Sequence, residues 1–160
     1  MTLVELAVSK GVWLCTAESL TAGMVSAQLA SFPGASKCLI GALVVYQDQA
    51  KAQLLGVSSA LIANQTAVDP EVAAQLAISA SKKFAAAMGL DPARVLAVST
   101  TGVAGPNPVG DKQPGEAYLA LARDEQVAVF GEHFAGSRAE IRESVTVRAL
   151  ELIREHLEAL

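Results

Sequence analysis

The sequence predicts an α/β fold, a three-layer α/β/α sandwich around a mixed, mostly parallel sheet, and two observations support this. First, apolar segments with strand character alternate with segments of helical periodicity, the pattern that places helices on both faces of a sheet. Second, the 160 residues are 52% hydrophobic but only 4% aromatic, and small side chains suit close packing of helices on a sheet. This length is enough for one full core, so we assign residues 1–160 to a single domain.

The first elements are predicted from a capping pattern and an apolar run. Thr2 followed by Glu5 is a capping box for a short helix that Gly11 ends. The apolar run that follows predicts a buried strand over residues 12–16. A second helix is predicted over residues 19–31, where a Phe-Pro-Gly sequence stops it.

The longest apolar run covers residues 37–46 and is predicted to be the second strand. A continuous apolar run is typical of a central strand that is covered on both faces. A short helix over residues 47–55 is predicted to follow it.

The second half of the chain is predicted to begin with a long helix. Asp69, Pro70 and Glu71 supply a cap, a first-turn proline and an acid at the positive end of the helix, and Gly89 ends it. Later apolar segments predict three strands and a final helix. The strands cover residues 95–101, 117–122 and 127–134, and the helix follows the capping box of Ser137 and Glu140. The last two strands form a hairpin, which makes the predicted sheet mixed rather than purely parallel.

Composition excludes several classes of function. The net charge is −4 and no basic run is present, so we expect no nucleic-acid partner. The apolar stretch from Cys38 to Tyr46 is too short to span a bilayer, and no basic region precedes an apolar block at the N-terminus. We therefore expect no membrane partner and a cytoplasmic location. The two cysteines, Cys15 and Cys38, lie in apolar segments and are predicted to be buried thiols in a reducing compartment.

Metal ligands and the usual catalytic bases are scarce. Only two histidines are present, His133 and His156, and no Cys-x-x-Cys motif occurs, so we expect no metal and no cofactor. No aspartate or glutamate stands at a spacing from His133 that would indicate a catalytic pair, so the sequence gives a Ser-His-Asp triad no support.

Polar residues replace apolar ones abruptly at three predicted strand ends, the positions where ligands collect in open α/β sheets. Ser19, in the segment 16–23, is either an ordinary helix cap or a hydroxyl presented beside free N–H groups that stabilise an oxyanion or phosphate. Lys51, in the segment 46–51, is either a solvated side chain or a functional amine. The Gly-x-x-Gly loop over residues 102–105 is either a tight turn or a place where backbone approaches a ligand.

Taken together, these segments resemble the C-terminal domain of the competence/damage-inducible protein CinA, a family that includes stand-alone nicotinamide-nucleotide amidohydrolases. The family motif T-A-E-S-x-T-G-G matches residues 16–23, with Ala22 at its first glycine. Y-S-N-x-x-K is similar to residues 46–51, T-G-I-A-G-P to residues 101–106 and F-x-G-x-R-x-x-I-R to residues 134–142.

The resemblance implies a five-stranded sheet and hydrolysis of the carboxamide of nicotinamide mononucleotide to nicotinic acid mononucleotide and ammonia, without a cofactor. It implies Ser19 as the nucleophile, Lys51 as its partner and Tyr46 beside them in the catalytic set. The residues assigned to substrate binding are Glu18, Thr21, Gly23, Thr101, Gly102, Gly105 and Arg142. A homo-oligomer is compatible with the resemblance.

A serine hydroxyl needs a base, and with histidine disfavoured the remaining base is a lysine whose pKa is lowered from about 10.4. N–H groups of residues 21–23 or of Gly102 are expected to hold the oxyanion. Arg142 borders the apolar stripe of the last helix, whereas Arg138 lies in its first turn, where a cation opposes the helix dipole. We therefore expect Arg142 to hold the substrate phosphate.

The alternative function is a non-catalytic nucleotide- or protein-binding domain of the same fold. Two departures from the family motifs favour it, Ala22 and the sequence of the loop over residues 107–116. Hydrolysis of a different amide is a third hypothesis.

Overall fold

A computed structural model describes all 160 residues, and a sheet of five strands in the order β2-β1-β3-β4-β5 runs through its centre. β1 pairs in parallel with β2 and β3, whereas β4 is antiparallel to both β3 and β5. Four of the five strands therefore run in one direction, which confirms the predicted mixed, mostly parallel sheet. The strands are β1 (Trp13–Glu18), β2 (Leu39–Val44), β3 (Val95–Gly102), β4 (Glu116–Arg123) and β5 (Gln126–His133).

Six α-helices cover the sheet on both faces, which confirms the three-layer architecture. The helices are α1 (Leu3–Lys10), α2 (Met24–Ala30), α3 (Asp48–Leu55), α4 (Ser59–Gln65), α5 (Pro70–Met88) and α6 (Arg138–Glu158). α1, α2 and α6 pack on one face of the sheet, and α3, α4 and α5 pack on the other. None of these helices has the length and apolar character needed to cross a membrane.

Successive side chains of the central strands point alternately into two separate hydrophobic cores, one on each face of the sheet. Leu14 of β1 is buried against α1, α2 and α6, while the next residue, Cys15, is buried against α3 and α5. On α5, alanines pack directly on alanines of β4, because small side chains let the helix lie close to the sheet. The alanine-rich composition is therefore used where helix and sheet are in closest contact.

Local capping signals gave reliable helix starts. The Thr2–Glu5 and Ser137–Glu140 pairs both form reciprocal capping boxes, as predicted. The Asp69 carboxylate accepts hydrogen bonds from the N–H groups of Glu71 and Val72. The predicted hairpin also forms, with Arg123 paired to Gln126 across the turn.

Two helix predictions were wrong. α2 begins at Met24 instead of Ser19, because residues 19–23 form turns in which Ala22 and Gly23 have positive φ values of 48° and 98°. α4 was not predicted, although its cap signal is present, since the Ser58 hydroxyl accepts a hydrogen bond from the Leu61 N–H.

The position predicted for the longest apolar strand was also wrong. β2 lies at an edge of the sheet, where it pairs only with β1, and its residues are half-buried or exposed rather than buried. α2 contacts one face of this strand, and the Phe84 ring of α5 lies against Gly41 on the other. A strand covered on its faces needs apolar side chains even where its hydrogen-bonding edge is open.

Both cysteines are buried and unpaired, as predicted. Burial raises the pKa of the Cys15 thiol to about 12. This thiol therefore stays protonated and unreactive at neutral pH.

Gly115 is the glycine at which a side chain is least tolerated. Its φ is 95°, and a Cβ there would collide with the carbonyl oxygen of Phe134, whose N–H donates to the Gly115 carbonyl. We expect Gly115→Ala to lower the free energy of unfolding by roughly 3–5 kcal/mol. Gly56→Ala is the control, because Gly56 has a φ of 68° and no atom lies within 4 Å of the position that a Cβ would take there. Gly56→Ala should lower the free energy of unfolding, measured by urea denaturation, by only about 1–2 kcal/mol, because left-handed backbone strain is its only penalty. Equal losses in the two variants would contradict the collision at Gly115.

Candidate active site

A cleft of about 210 Å³ opens at the carboxyl ends of β1, β2 and β3, where the three polar segments meet. Six of the predicted site residues line it: Ser19, Tyr46, Lys51, Thr101, Gly102 and Gly105. The other four, Glu18, Thr21, Gly23 and Arg142, do not. The parallel strands thus bring residues far apart in the sequence to one edge of the sheet.

Ser19 is the first residue after β1 and presents its side chain to this cleft. Its N–H donates to the carbonyl of Thr100 on β3 at 3.0 Å, which fixes the backbone at the strand end. The residue is 8% exposed, and its hydroxyl makes no hydrogen bond to the rest of the protein. A rigidly placed hydroxyl is therefore free to contact a ligand.

Glu18 is fully buried and supports the turn that follows Ser19, instead of facing a substrate. Oε2 accepts hydrogen bonds from Thr21 Oγ1 at 2.7 Å, Gly23 N at 2.9 Å and Val25 N at 3.1 Å. Oε1 accepts from Thr16 Oγ1 and from Ser26 N, both at 2.9 Å. The carboxylate thus caps α2, whose own N-cap, Gly23, has no side chain for that purpose.

Glu18→Gln should destabilise the protein. Both carboxylate oxygens accept hydrogen bonds from backbone N–H groups, so either orientation of the amide would turn its NH₂ group toward such a donor. Hydrogen bonds to a charged group contribute about 1.5–3 kcal/mol each, so we expect the free energy of unfolding to fall by roughly 2–4 kcal/mol in urea denaturation. Glu71→Gln is the matched control, since Glu71 is an exposed acid in the first turn of α5. If the two variants lose the same stability, Glu18 contributes only as a charge at a helix end.

Thr21 and Gly23 were predicted to bind substrate but lie behind the cleft wall. Thr21 is fully buried, and its hydroxyl is 2.8 Å from that of Thr100 in addition to its bond to Glu18. The Gly23 N–H is used by Glu18. Both residues shape the turn after Ser19, so their proximity to Ser19 in the sequence overstated their access to a ligand.

Lys51 is the most deeply buried lysine, with 2% of its side chain exposed. Its Nζ donates to the carbonyl oxygen of Tyr46 at 2.8 Å and lies 3.6 Å from Asp48 Oδ1. Burial lowers the pKa of this amine, and the Asp48 carboxylate opposes part of that shift. The neutral amine is therefore more populated than in a solvated lysine.

Tyr46 also lines the cleft, and its side chain is held by an arginine. The Tyr46 hydroxyl accepts a hydrogen bond from Arg138 Nη2 at 2.7 Å, and Arg138 Nη1 donates to the Gly105 carbonyl at 2.7 Å. Arg138 therefore joins the second and third motifs at the cleft. Its place within the F-x-G-x-R segment was the sequence signal that could have identified it.

The expectation that Arg142 reaches the cleft was wrong. Its Nε donates to the Leu20 carbonyl at 2.7 Å and its Nη2 to the Thr21 carbonyl at 3.3 Å. The guanidinium thus fixes the turn after Ser19 from the side of α6. Arg138, which we expected to be disfavoured by the helix dipole, lines the cleft because its long side chain carries the charge away from the axis of α6.

Among the residues that line the cleft, Leu20 has a backbone N–H that makes no hydrogen bond within the protein, and so does Ala104. By contrast, the N–H of Ala22 donates to the Ser19 carbonyl and that of Gly23 to Glu18. Of the donors expected in residues 21–23, these two are already occupied. Because Leu20 directly follows Ser19, its free N–H is the candidate donor for a developing oxyanion.

The remaining predicted residues belong to the third strand end. The Thr101 hydroxyl donates to the Ala67 carbonyl at 2.6 Å, which ties β3 to the loop between α4 and α5. Gly102 packs against Ala117 of β4, where a Cβ would lie 2.8 Å from the Glu116 carbonyl oxygen. This close packing explains why position 102, at the base of the cleft, is occupied by glycine.

The two departures from the family motifs fall in different surroundings. Ala22 has a φ of 48°, the left-handed conformation that glycine adopts most readily, so the alanine preserves the turn at a modest cost in strain. In the 107–116 loop, Asn107 and Val109 line the cleft. The loop is therefore the departure that lies where a ligand would bind.

Comparison with known proteins identifies the family. The family model of the CinA C-terminal domain matches residues 1–157. This chain belongs to the CinA C-terminal domain family. A CinA-like protein from Frankia casuarinae is 36% identical over 158 residues, which are 99% of this chain and 35% of that protein. The chain thus spans about a third of the length of the curated CinA relatives it matches.

Solved CinA structures share the fold over the whole chain. A CinA superfamily protein from Klebsiella pneumoniae superposes with a TM-score of 0.85 at 23% identity and covers 100% of both chains. A competence/damage-inducible protein from Agrobacterium tumefaciens gives a TM-score of 0.82 at 28% identity, over 98% of this chain and 95% of that one. The arrangement of five strands and flanking helices is therefore that of the CinA superfamily.

Proposed function

We propose that this CinA-family domain hydrolyses the carboxamide of nicotinamide mononucleotide, giving nicotinic acid mononucleotide and ammonia for pyridine-nucleotide salvage in the cytoplasm. One observation carries the proposal: the free Ser19 hydroxyl lines the same cleft as buried Lys51, whose pKa is lowered. A nucleophile and an amine able to act as a base are what amide hydrolysis requires when histidine is absent from the site.

In the proposed reaction, Ser19 Oγ attacks the carboxamide carbon while neutral Lys51 takes up the hydroxyl proton. No hydrogen bond joins the two side chains in the unliganded protein, since Lys51 Nζ is directed at Tyr46 and Asp48. Catalytic hydrogen bonds often tighten only when substrate is bound. The Leu20 N–H stabilises the oxyanion, Lys51 or Tyr46 returns the proton to departing ammonia, and water releases the acid.

The deciding experiment incubates the purified protein with nicotinamide mononucleotide and EDTA and measures both ammonia and the pyridine product. We expect equimolar ammonia and nicotinic acid mononucleotide. EDTA should not reduce the yield, because no group of three or more His, Cys, Asp or Glu side chains is placed to hold a metal ion. Thermal stabilisation by the nucleotide without ammonia would instead support the non-catalytic binding domain. Activity that EDTA abolishes and one divalent metal restores would contradict the serine–lysine scheme.

Arg138 is proposed to bind the substrate phosphate, in place of Arg142. It is an exposed guanidinium at the mouth of the cleft, and arginine pairs with phosphate through two donors. Arg138→Ala should raise KM for the mononucleotide roughly ten- to a hundredfold, as expected for loss of about 1.5–3 kcal/mol of binding. KM for nicotinamide riboside, which lacks the phosphate, should not rise comparably, whereas any effect of releasing the Tyr46 hydroxyl should appear in kcat for both substrates.

Arg142→Ala is the matched control for this assignment. Its guanidinium supports the turn after Ser19, so its loss should lower kcat to a similar degree for the mononucleotide and the riboside. A phosphate-selective KM effect in Arg142→Ala, with none in Arg138→Ala, would return the phosphate site to Arg142.

A further inference from the structure

We propose that Asp48 is a positioning residue of the candidate active site, whose carboxylate keeps the Lys51 amine charged and turned away from Ser19 until the lysine gives up a proton. The inference deepens the proposed function and rests on it for the effect on turnover. The contact between Asp48 and Lys51 does not rest on it, because that contact is measured in protein without substrate.

The two residues meet because of the place where α3 begins. Gln47 is the N-cap of this helix, so Asp48 stands in its first turn and Lys51 lies one turn later on the same side. Asp48 Oδ1 is 3.6 Å from Lys51 Nζ, and Nζ donates to the Tyr46 carbonyl at 2.8 Å. These two contacts fix the direction of the amine in the unliganded protein.

The two partners differ greatly in their exposure to solvent. The Lys51 side chain is 2% exposed, whereas that of Asp48 is 62% exposed. Burial lowers the pKa of Lys51, and the Asp48 carboxylate acts against this because it stabilises the ammonium. Loss of the carboxylate would leave the amine just as buried but without the charge that favours its protonated form.

Asp48 is the only acid that lines the cleft. The other charged or titratable side chains in the cleft wall are Tyr46, Lys51 and Arg138. Arg138 reaches the cleft from α6 and donates to the Tyr46 hydroxyl at 2.7 Å. The segments 67–68 and 101–109, from the α4–α5 loop and from β3 with the loop after it, contribute no titratable side chain.

The elements packed behind Lys51 supply no second acid. α5 contributes Val72 and Leu76 to the core that it shares with α3, and Glu71 in its first turn is exposed. Glu18, at the end of β1, is bound to N–H groups at the start of α2, which packs on the other face of the sheet. Asp48 is therefore the acid that acts on the lysine.

An amine held in its charged form cannot take up a proton from Ser19. Lys51 must first release a proton to solvent, and the Asp48 carboxylate opposes this release. The neutral amine is no longer attracted by the carboxylate and can turn toward Ser19. Asp48 thus restricts turnover to higher pH than burial of the lysine alone would require.

The direct test is an NMR titration of the lysine side chains in the unliganded protein, with the Lys51 signal identified by its absence from Lys51→Arg. Asp48→Asn replaces the carboxylate with its neutral isostere, which the related motif Y-S-N-x-x-K has at this position. The pH midpoint of the Lys51 titration should be lower in Asp48→Asn than in the wild type.

Glu71→Gln is the control for this titration, because it removes an exposed first-turn acid from α5 without altering the cleft. Its Lys51 midpoint should equal that of the wild type. The proposal would be overturned by a midpoint that is the same in Asp48→Asn and the wild type, or by one that falls equally in the two variants.

Turnover of nicotinamide mononucleotide gives a second measurement. Below the wild-type midpoint, Asp48→Asn should release ammonia at least about threefold faster than the wild type, and the two rates should converge at high pH. A kcat lowered by the same factor at every pH, with the Lys51 midpoint unshifted, would indicate a merely structural role and overturn the proposal. A midpoint that falls while the pH dependence of turnover stays unchanged would support the role of Asp48 but refute Lys51 as the base of the proposed function.

Discussion

Ser19→Ala is expected to lower turnover of nicotinamide mononucleotide by more than about a thousandfold, the scale on which loss of a catalytic nucleophile acts. The free energy of unfolding should change by less than about 0.5 kcal/mol, because the hydroxyl makes no hydrogen bond within the protein. Turnover is measured as ammonia release at saturating substrate, and stability by urea denaturation of the same preparation.

Ser26→Ala is the control for this prediction. Ser26 lies on α2, and its hydroxyl donates only to the Gly23 carbonyl at 3.0 Å, so it belongs to the same turn without lining the cleft. This variant should keep most of its turnover. If Ser19→Ala remains as active as Ser26→Ala, Ser19 is not the nucleophile, and the hydroxyl serves at most to contact the bound nucleotide.

Lys51→Arg is expected to be as inactive as Lys51→Met, with turnover reduced at least about a thousandfold in both. A guanidinium keeps its charge at all working pH values and cannot take up the proton of Ser19, whereas the lysine amine can. Wild-type kcat should rise with pH as Lys51 loses its proton, with a midpoint below the ordinary value of about 10.4 because burial lowers the pKa. An active arginine variant would show that Lys51 supplies charge alone.

The same lysine predicts how stability depends on pH. Its pKa is lower in the folded than in the unfolded protein, so between the two pKa values the unfolded chain binds more protons. The free energy of unfolding should therefore gain a contribution as pH rises through the folded pKa toward about 10.4. Lys51→Met should remove this contribution, while Lys83→Met, at an exposed position on α5, should retain it. Parallel pH profiles for the two methionine variants would contradict the assignment.

Much of the secondary structure could be predicted because its signals are local. The capping boxes at Thr2 and Ser137, and the Asp69-Pro70-Glu71 helix start, act through hydrogen bonds within a few residues of the chain. The start of α2 could not be predicted in this way. It is set by the Glu18 carboxylate, which binds N–H groups five to eight positions away and leaves residues 19–23 outside the helix.

For the site, the sequence by itself determined the chemical groups and the strand ends that carry them. Ser19, Tyr46, Lys51 and Thr101 each follow or end an apolar strand, and parallel strands bring such positions to one edge of a sheet. Only the tertiary structure decided which side chains face the cleft. Arg138 and Arg142 lie one helical turn apart on α6, yet Arg138 contacts the Gly105 carbonyl and Arg142 contacts the turn after Ser19. The difference depends on where the Leu20 and Thr21 carbonyls lie relative to α6. That position depends on packing between segments more than 100 residues apart in the chain, which no local pattern records.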